Sequence, residues 1–319
     1  MHIWRDVDDV PDDVGPTVVV VGNFDGVHRG HQLVIARAHQ AAVRLGDLPV
    51  VAATFEPHPM AVLRPGSAPR ALSCLEHRAE LLAAEGVAGV FVIAFDRDVA
   101  AWSPQEFVER ILVETLHAAA VVVGANFRFG NRAAGDVGTL TELGADHGFA
   151  VEGIELAGGP QAWSSTYVRN CLAAGDVEAA AEALGRPYTV RGTVVEGEHR
   201  GRELGYPTAN VPSSGRLALP ADGVYAGWLR RLDRPGDPAL PAAISVGINP
   251  TFDGREHRVE SYVLDRDDLE LYGVDVEVRF VARLRGMERY DSVPALLEQM
   301  ADDVVRCHSI LGAPTPGPS

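Results

Sequence analysis

The 319-residue sequence predicts an α/β plus β protein: a doubly wound parallel sheet, then an antiparallel β-barrel with a terminal helix. Three observations carry this. Up to about Leu184, apolar strand-like runs alternate with helical patterns, the signature of βαβ units. From Tyr188 onward, short stretches alternate apolar and polar residues between Gly, Pro and Asp turns, as an antiparallel barrel does. Between Val18 and His31, VVVVGNFDGVHRGH joins a buried-strand signal to a glycine-punctuated turn and two histidines.

The first-half strands are read at VVVVG, Val50 to Phe55, Val90 to Phe95 and Ala119 to Gly124. Helices are read at His31 to Leu45, Leu75 to Glu85 and Ser103 to Leu116. The last begins with Ser103 as N-cap, Pro104 at the first helical position and Glu106 three after the cap. An alanine-rich helical pair then leads to Arg186-Pro187, where the text changes, so domains are placed at 1–186 and 187–311. YTVRGTVV, GVYAGWLRRL, AAISVGI, RVESYVL and VDVEVRFVARL supply the barrel strands, Val293 to Leu311 an amphipathic helix, and 312–319 a disordered tail.

A formal net charge of −16 argues against non-specific nucleic-acid or anionic-membrane binding. Three unpaired cysteines, no apolar run long enough to span a bilayer and an acidic first segment fit a reducing cytoplasm. All 28 basic residues other than histidine are arginine. A phosphate-binding P-loop lysine and Schiff-base chemistry are therefore absent, leaving Arg, His, backbone N–H groups and a metal ion for phosphate chemistry.

His28 and His31 are three apart near a helix start, where both can face one phosphoryl group, and Gly30 lets it approach the backbone. Read alone, the same residues also fit a turn with two solvated histidines. Ser164-Ser165-Thr166 with Arg169, on the first turn of the next helix, fits either helix capping or a second phosphate-binding helix start. Thr208 and Asn210 are i and i+2 in an extended segment, so hydroxyl and amide oxygens can hold one hard cation without adding charge. Glu260, on a strand, is either an exposed-face glutamate or a general base for a primary alcohol.

GNFDGVHRGH with SSTYVR resembles the nucleotidyltransferase superfamily, and TFEPHP and GANFRFG resemble its flavin-adenylylating branch. GRELGYPTAN, SVGINPTF, VESYVLD and DLELYG resemble the riboflavin kinase module. Together the chain resembles the bacterial bifunctional riboflavin kinase/FAD synthetases. That resemblance implies phosphorylation of riboflavin to FMN in the second domain and adenylylation of FMN to FAD in the first, with ATP as co-substrate and Mg²⁺ in both steps. It implies catalytic roles for His28, His31 and Glu260, and a metal site at Thr208 and Asn210. Nucleotide contacts carry over to Gly22, Phe24, Asp25, Gly30, Asn126, Ser164, Ser165, Thr166 and Arg169, and to Gly201, Gly205 and Pro207 in the second domain. Flavin contacts carry over to Phe55, Pro57, His58, Pro59, Phe127 and Arg128. The expected partners are these small molecules and flavin-dependent apoenzymes that receive the product, with room for a homo-oligomer.

Overall fold

The structure, a computed structural model, describes residues 1–11, 13–155, 163–197, 205–213, 215–251 and 254–312. Gly201 and the tail from 313 lie outside the described residues. The chain forms two compact units: Met1–Pro69 with Ser73–Ser164, and Arg70–Leu72 with Ser165–Ser319.

The first unit is built on a six-stranded parallel sheet in the order β1-β4-β3-β2-β5-β6. These strands are β1 (His2–Trp4), β2 (Thr17–Val21), β3 (Val50–Glu56), β4 (Gly89–Ala94), β5 (Ala118–Gly124) and β6 (Ala150–Ile154). β2 is buried along its whole length. Because side chains alternate across a strand, Val18 and Val20 enter one core with Val34, Ile35 and Ala38 of α1 (Arg29–Arg44) and Leu75, Ala79 and Leu82 of α3 (Leu75–Ala84). Val19 and Val21 enter the opposite core with Phe107, Ile111, Leu112 and Leu140. Helices therefore cover both faces, as the continuous valine run requires.

Two elements differ from expectation. β1 and β6, at the sheet edges, carry no strand signal in the sequence: β1 is three residues long, and β6 mixes Glu152 and Gly153 into a half-exposed strand. The segment expected as one α-helix opens as predicted, with reciprocal Ser103–Glu106 capping over α4 (Pro104–Phe107). It then widens over Val108–Thr115 into i→i+5 winding, in which Leu116 N donates to Ile111 O at 3.0 Å and Thr115 Oγ1 to Arg110 O at 2.6 Å.

The second unit is a curled antiparallel sheet ordered β7-β12-β9-β10-β11-β8. Its strands are β7 (Tyr188–Thr193), β8 (Thr208–Pro212), β9 (Gly223–Arg231), β10 (Leu240–Thr251), β11 (Gly254–Val263) and β12 (Asp275–Arg285). The outermost strands are drawn back together by the antiparallel bridge Val195–Asn210, which gives the sheet its barrel form. Register shifts in β12 after Phe280 and Arg283 let it bend across β9. Tyr225, Leu229, Ile244, Val259, Val278 and Phe280 are fully buried. The C-terminal helix Val293–Leu311 closes one side through Cys307 and Val304 against Val224, Ala226, Leu264 and Leu284. Burial pushes the Cys307 thiol up to about 12, so it packs as an apolar side chain, and all three cysteines are free. Helices α6 (Ser165–Ala174) and α7 (Val177–Leu184) belong to this unit: Arg283 Nη1 donates to Ala174 O at 3.1 Å, and Glu178 accepts from Arg283 N at 3.3 Å.

Candidate functional site

In the first unit, β2, β3 and β5 are neighbours, and the segments leaving their carboxyl ends carry the residues singled out in the sequence. Asn23 to His31 follows β2, Phe55 to Pro59 ends and follows β3, and Asn126 to Arg128 follows β5. This edge, where the strand order reverses, is where open parallel sheets take ligands.

The turn after β2 is held in an uncommon conformation. Phe24 and Val27, both buried, have φ of 46° and 40°, a left-handed setting that costs about 1–3 kcal/mol per non-glycine residue. Buried Asp25 offsets this by accepting from Ser73 N at 3.1 Å, while Gly26 N donates to Ser73 Oγ at 3.3 Å. His28 then caps α1, its Nδ1 accepting from His31 N at 3.4 Å, which puts the ring proton of neutral His28 on Nε2. The two imidazoles stack with centroids 3.6 Å apart, and Phe24 meets His31 edge-on at 5.1 Å. A Cβ on Gly30 would stand 3.0 Å from His28 Nδ1 and 3.1 Å from Trp163 O, so only glycine leaves this backbone uncrowded. Burial, then His28, then the Arg78 guanidinium hold the His31 imidazole well below its ordinary range. His31 is a neutral ring near pH 7.

Around this pair, His58 caps the short helix α2 (Pro59–Leu63) by accepting from Met60 N at 3.1 Å. Phe55 and Phe127 are half-buried within a cluster of rings that includes Phe95, Phe107 and Phe129. Asn126 and Arg128 are exposed, Arg128 pairing with Asp136 at 3.1 Å. Ser164 ends the first unit, and Ser165 and Thr166 open α6 in the second. Because the helix already begins at Ser165, Arg169 stands past its first turn rather than on it, with Nε donating to Arg70 O at 2.7 Å.

In the second unit Thr208 and Asn210 share one face of β8, as their spacing predicted: Asn210 Nδ2 donates to Thr208 Oγ1 at 3.3 Å and to Thr208 O at 3.1 Å. Glu260 of β11 lies directly opposite Asn210 in the strand pairing. Asn210 is buried, and a Cβ on Gly197 would stand 2.6 Å from its Nδ2, so the Gly197 backbone lies against the amide. Pro207 and Gly205 precede the strand, Gly205 with φ of 83°. Among the described residues no three His, Cys, Asp or Glu side chains cluster to hold a metal.

Arg78 was not anticipated. Its signal was an arginine among Leu75, Ala79 and Leu82, beside His77, on the inward face of α3.

Residues 10–166 match the FAD synthetase family model, and residues 184–311 match the riboflavin kinase model. The bifunctional riboflavin kinase/FMN adenylyltransferase of Escherichia coli (strain K12) is 35% identical over 300 residues, 94% of this chain and 94% of its own. The chain belongs to the bifunctional riboflavin kinase/FMN adenylyltransferase family. Its Pseudomonas fluorescens relative is 39% identical over 303 residues, 93% of this chain and 94% of its own. A crystal structure described as the macrolide-efflux protein of Streptococcus pneumoniae superposes with a TM-score of 0.83 at 32% identity, covering 94% of this chain and 96% of that one. Among the described residues no helix here is long and apolar enough to cross a membrane. The chain is thus an enzyme, with its FAD synthetase domain first and its riboflavin kinase domain second.

Proposed function

We propose that the His28–His31 edge of the first unit transfers an adenylyl group from ATP to FMN, and that Thr208, Asn210 and Glu260 serve phosphorylation of riboflavin by ATP. The observation that carries both is that His28 and His31 stack at the start of α1 in the first unit, while Asn210 and Glu260 pair across β8 and β11 in the second.

In the first reaction an FMN phosphate oxygen bonds to the α-phosphorus of ATP, the α–β P–O bond breaks, and pyrophosphate leaves. His28, with its ring proton on Nε2, and the N–H groups opening α1 donate to the oxygens that gain charge. Ser164, Gly22, Asp25 and Asn126 border the nucleotide; Ser165, Thr166 and Arg169, to which the family signature gives phosphate contacts, lie on α6 of the second unit. Phe55, His58 and Phe127 line the flavin side. In the second reaction the primary alcohol of riboflavin bonds to the γ-phosphorus, ADP leaves, and Glu260 takes the hydroxyl proton.

Mg²⁺ fits the second site by its donors. Thr208 Oγ1 and the Asn210 side chain meet on one strand face, both neutral, which suits a hard cation that reaches the protein already carrying phosphate charge. When bound it offsets charge on the phosphates. The domain limits 1–186 and 187–311, a cytoplasmic setting supported by three free thiols, and a homo-oligomer belong to the same proposal.

The test starts the full chain with riboflavin or with FMN, plus MgATP, and separates the flavin products. His28→Ala is expected to lower FAD formation by at least ~10²-fold and spare FMN formation, and Glu260→Gln the reverse. Loss of both activities in either folded variant contradicts two separate sites.

A further inference from the structure

Arg78 is 5% exposed, yet its guanidinium is loosely satisfied. Nη1 lies 3.3 Å from both Thr54 Oγ1 and Phe55 O, and Nη2 lies 3.4 Å from Glu56 Oε2. Nε is buried with no hydrogen-bond partner. A buried cation held this way is costly, because its one carboxylate partner is 42% exposed and solvent-screened. Packing alone does not account for it, since the other inward positions of α3 are Leu75, Ala79, Leu82 and the imidazole of His77, none of them a partner for its charge.

Its contacts explain the placement. Thr54 Oγ1 donates to Asn23 O at 3.1 Å, so one guanidinium reaches the end of β3 directly and the turn after β2 through a single hydroxyl. Those two segments carry His28, His31 and the Phe55–Pro59 stretch. His31 Nδ1 is itself buried with no hydrogen-bond partner. A proton added there finds no acceptor, and it meets His28 stacked at 3.6 Å and the Arg78 charge. The other titratable or charged groups on the surrounding elements include Arg29 on α1, Asp25 in the turn, Glu56 and His58 around the end of β3, and buried His77 on α3.

We propose that Arg78 is a positioning residue for adenylyl transfer: it ties the turn after β2 to the end of β3 and so holds the stacked His28–His31 pair at the start of α1. This rests on the assignment of adenylyl transfer to the His28–His31 pair. A neutral ring preserves the stacked pair, whereas an imidazolium would repel both neighbours and part the rings from the helix start.

The experiment follows FMN adenylylation by the full chain from pH 5.5 to 8.5, with riboflavin phosphorylation as the internal measure of folding. Direct titration of the His31 ring by NMR accompanies it. Arg78→Met removes both ties and is expected to lower kcat for FMN adenylylation about 10²-fold with riboflavin phosphorylation at the wild-type rate, and to shift the His31 titration upward, since the Arg78 charge is among the causes that lower it. Arg78→Lys keeps the charge but not the fork. It is expected to lower kcat and leave the His31 titration in place. Wild-type kcat in a folded Arg78→Met or Arg78→Lys variant overturns the proposal. If Arg78→Met loses its fold, the lysine variant alone decides: reduced kcat with an unmoved His31 titration supports the role, and wild-type kcat refutes it. His31→Ala separates the layers. Retained FAD formation in that variant refutes the site assignment, whereas its loss beside wild-type kcat in Arg78→Met refutes only the role of Arg78.

Discussion

Gly197 gives the sharpest test of the riboflavin kinase site, because it acts on Asn210 without altering any proposed ligand. A Cβ there would stand 2.6 Å from Asn210 Nδ2, 2.9 Å from Cγ and 3.0 Å from Oδ1, where ordinary contact begins at 3.4 Å. Gly197→Ala must therefore displace the amide or its own backbone by about 0.8 Å, and a misplacement near 1 Å in a positioning group costs on the order of 10²-fold. The amide cannot yield cheaply. It is buried and bonded to Thr208, and its own main-chain carbonyl accepts from Val195 N at 2.9 Å. The variant is expected to form FMN from riboflavin about 10²-fold more slowly and to convert supplied FMN to FAD at the wild-type rate. Gly236→Ala, where a Cβ would meet nothing within 4 Å, is the control and should retain both rates. Wild-type FMN formation by a folded Gly197→Ala variant would refute the view that Asn210 must hold its position.

Asn210→Asp loses the amide hydrogens that reach Thr208 and puts a second carboxylate opposite Glu260. FMN formation should fall at least ~10²-fold while supplied FMN is still adenylylated, read by the same product separation. Glu277 provides a pH test of barrel stability. Burial opposes its charge, but hydrogen bonds from Arg191 and Arg279 and their positive charges outweigh it, lowering its pKa from 4.5 to about 2. A folded pKa below the unfolded one gives stability that is present above pH 4.5 and lost as pH falls toward 2, at most about 3 kcal/mol. Denaturant unfolding of Glu277→Gln should show lower stability at pH 7 and a flatter dependence between pH 4.5 and 2; an unchanged slope would show that Glu277 does not carry it.

The sequence disclosed the parts of this molecule whose physics is local. Val18 to Val21 announce a strand buried on both faces, and Thr208 and Asn210 are brought together by extended geometry alone. The Ser103 cap is equally legible. β1 and β6 were not, because three residues, or a strand with Glu152 and Gly153 in it, are stabilised by the neighbour they pair with rather than by pattern. The widened turn at Val108–Thr115 leaves the hydrophobic stripe nearly intact, so periodicity reads it as ordinary helix. Arg78 escaped for a similar reason: its partners Thr54, Phe55 and Glu56 are more than twenty residues away, and only the folded sheet brings them to it.

Glu277 has a second consequence, for how the barrel strands find their alignment. In β12 it lies directly across from Arg191 of β7 on one side and Arg230 of β9 on the other, so one carboxylate spans three strands. A slip of β12 by a single residue would turn that carboxylate toward the interior and swing Val276, Val278 and Phe280 out into water. The arginines would lose their partner in the same step. Misaligned pairings are thus penalised on both faces of the sheet at once, so the outer ladder of charge selects among the barrel's strand registers while the inner ladder of apolar side chains supplies the cohesion.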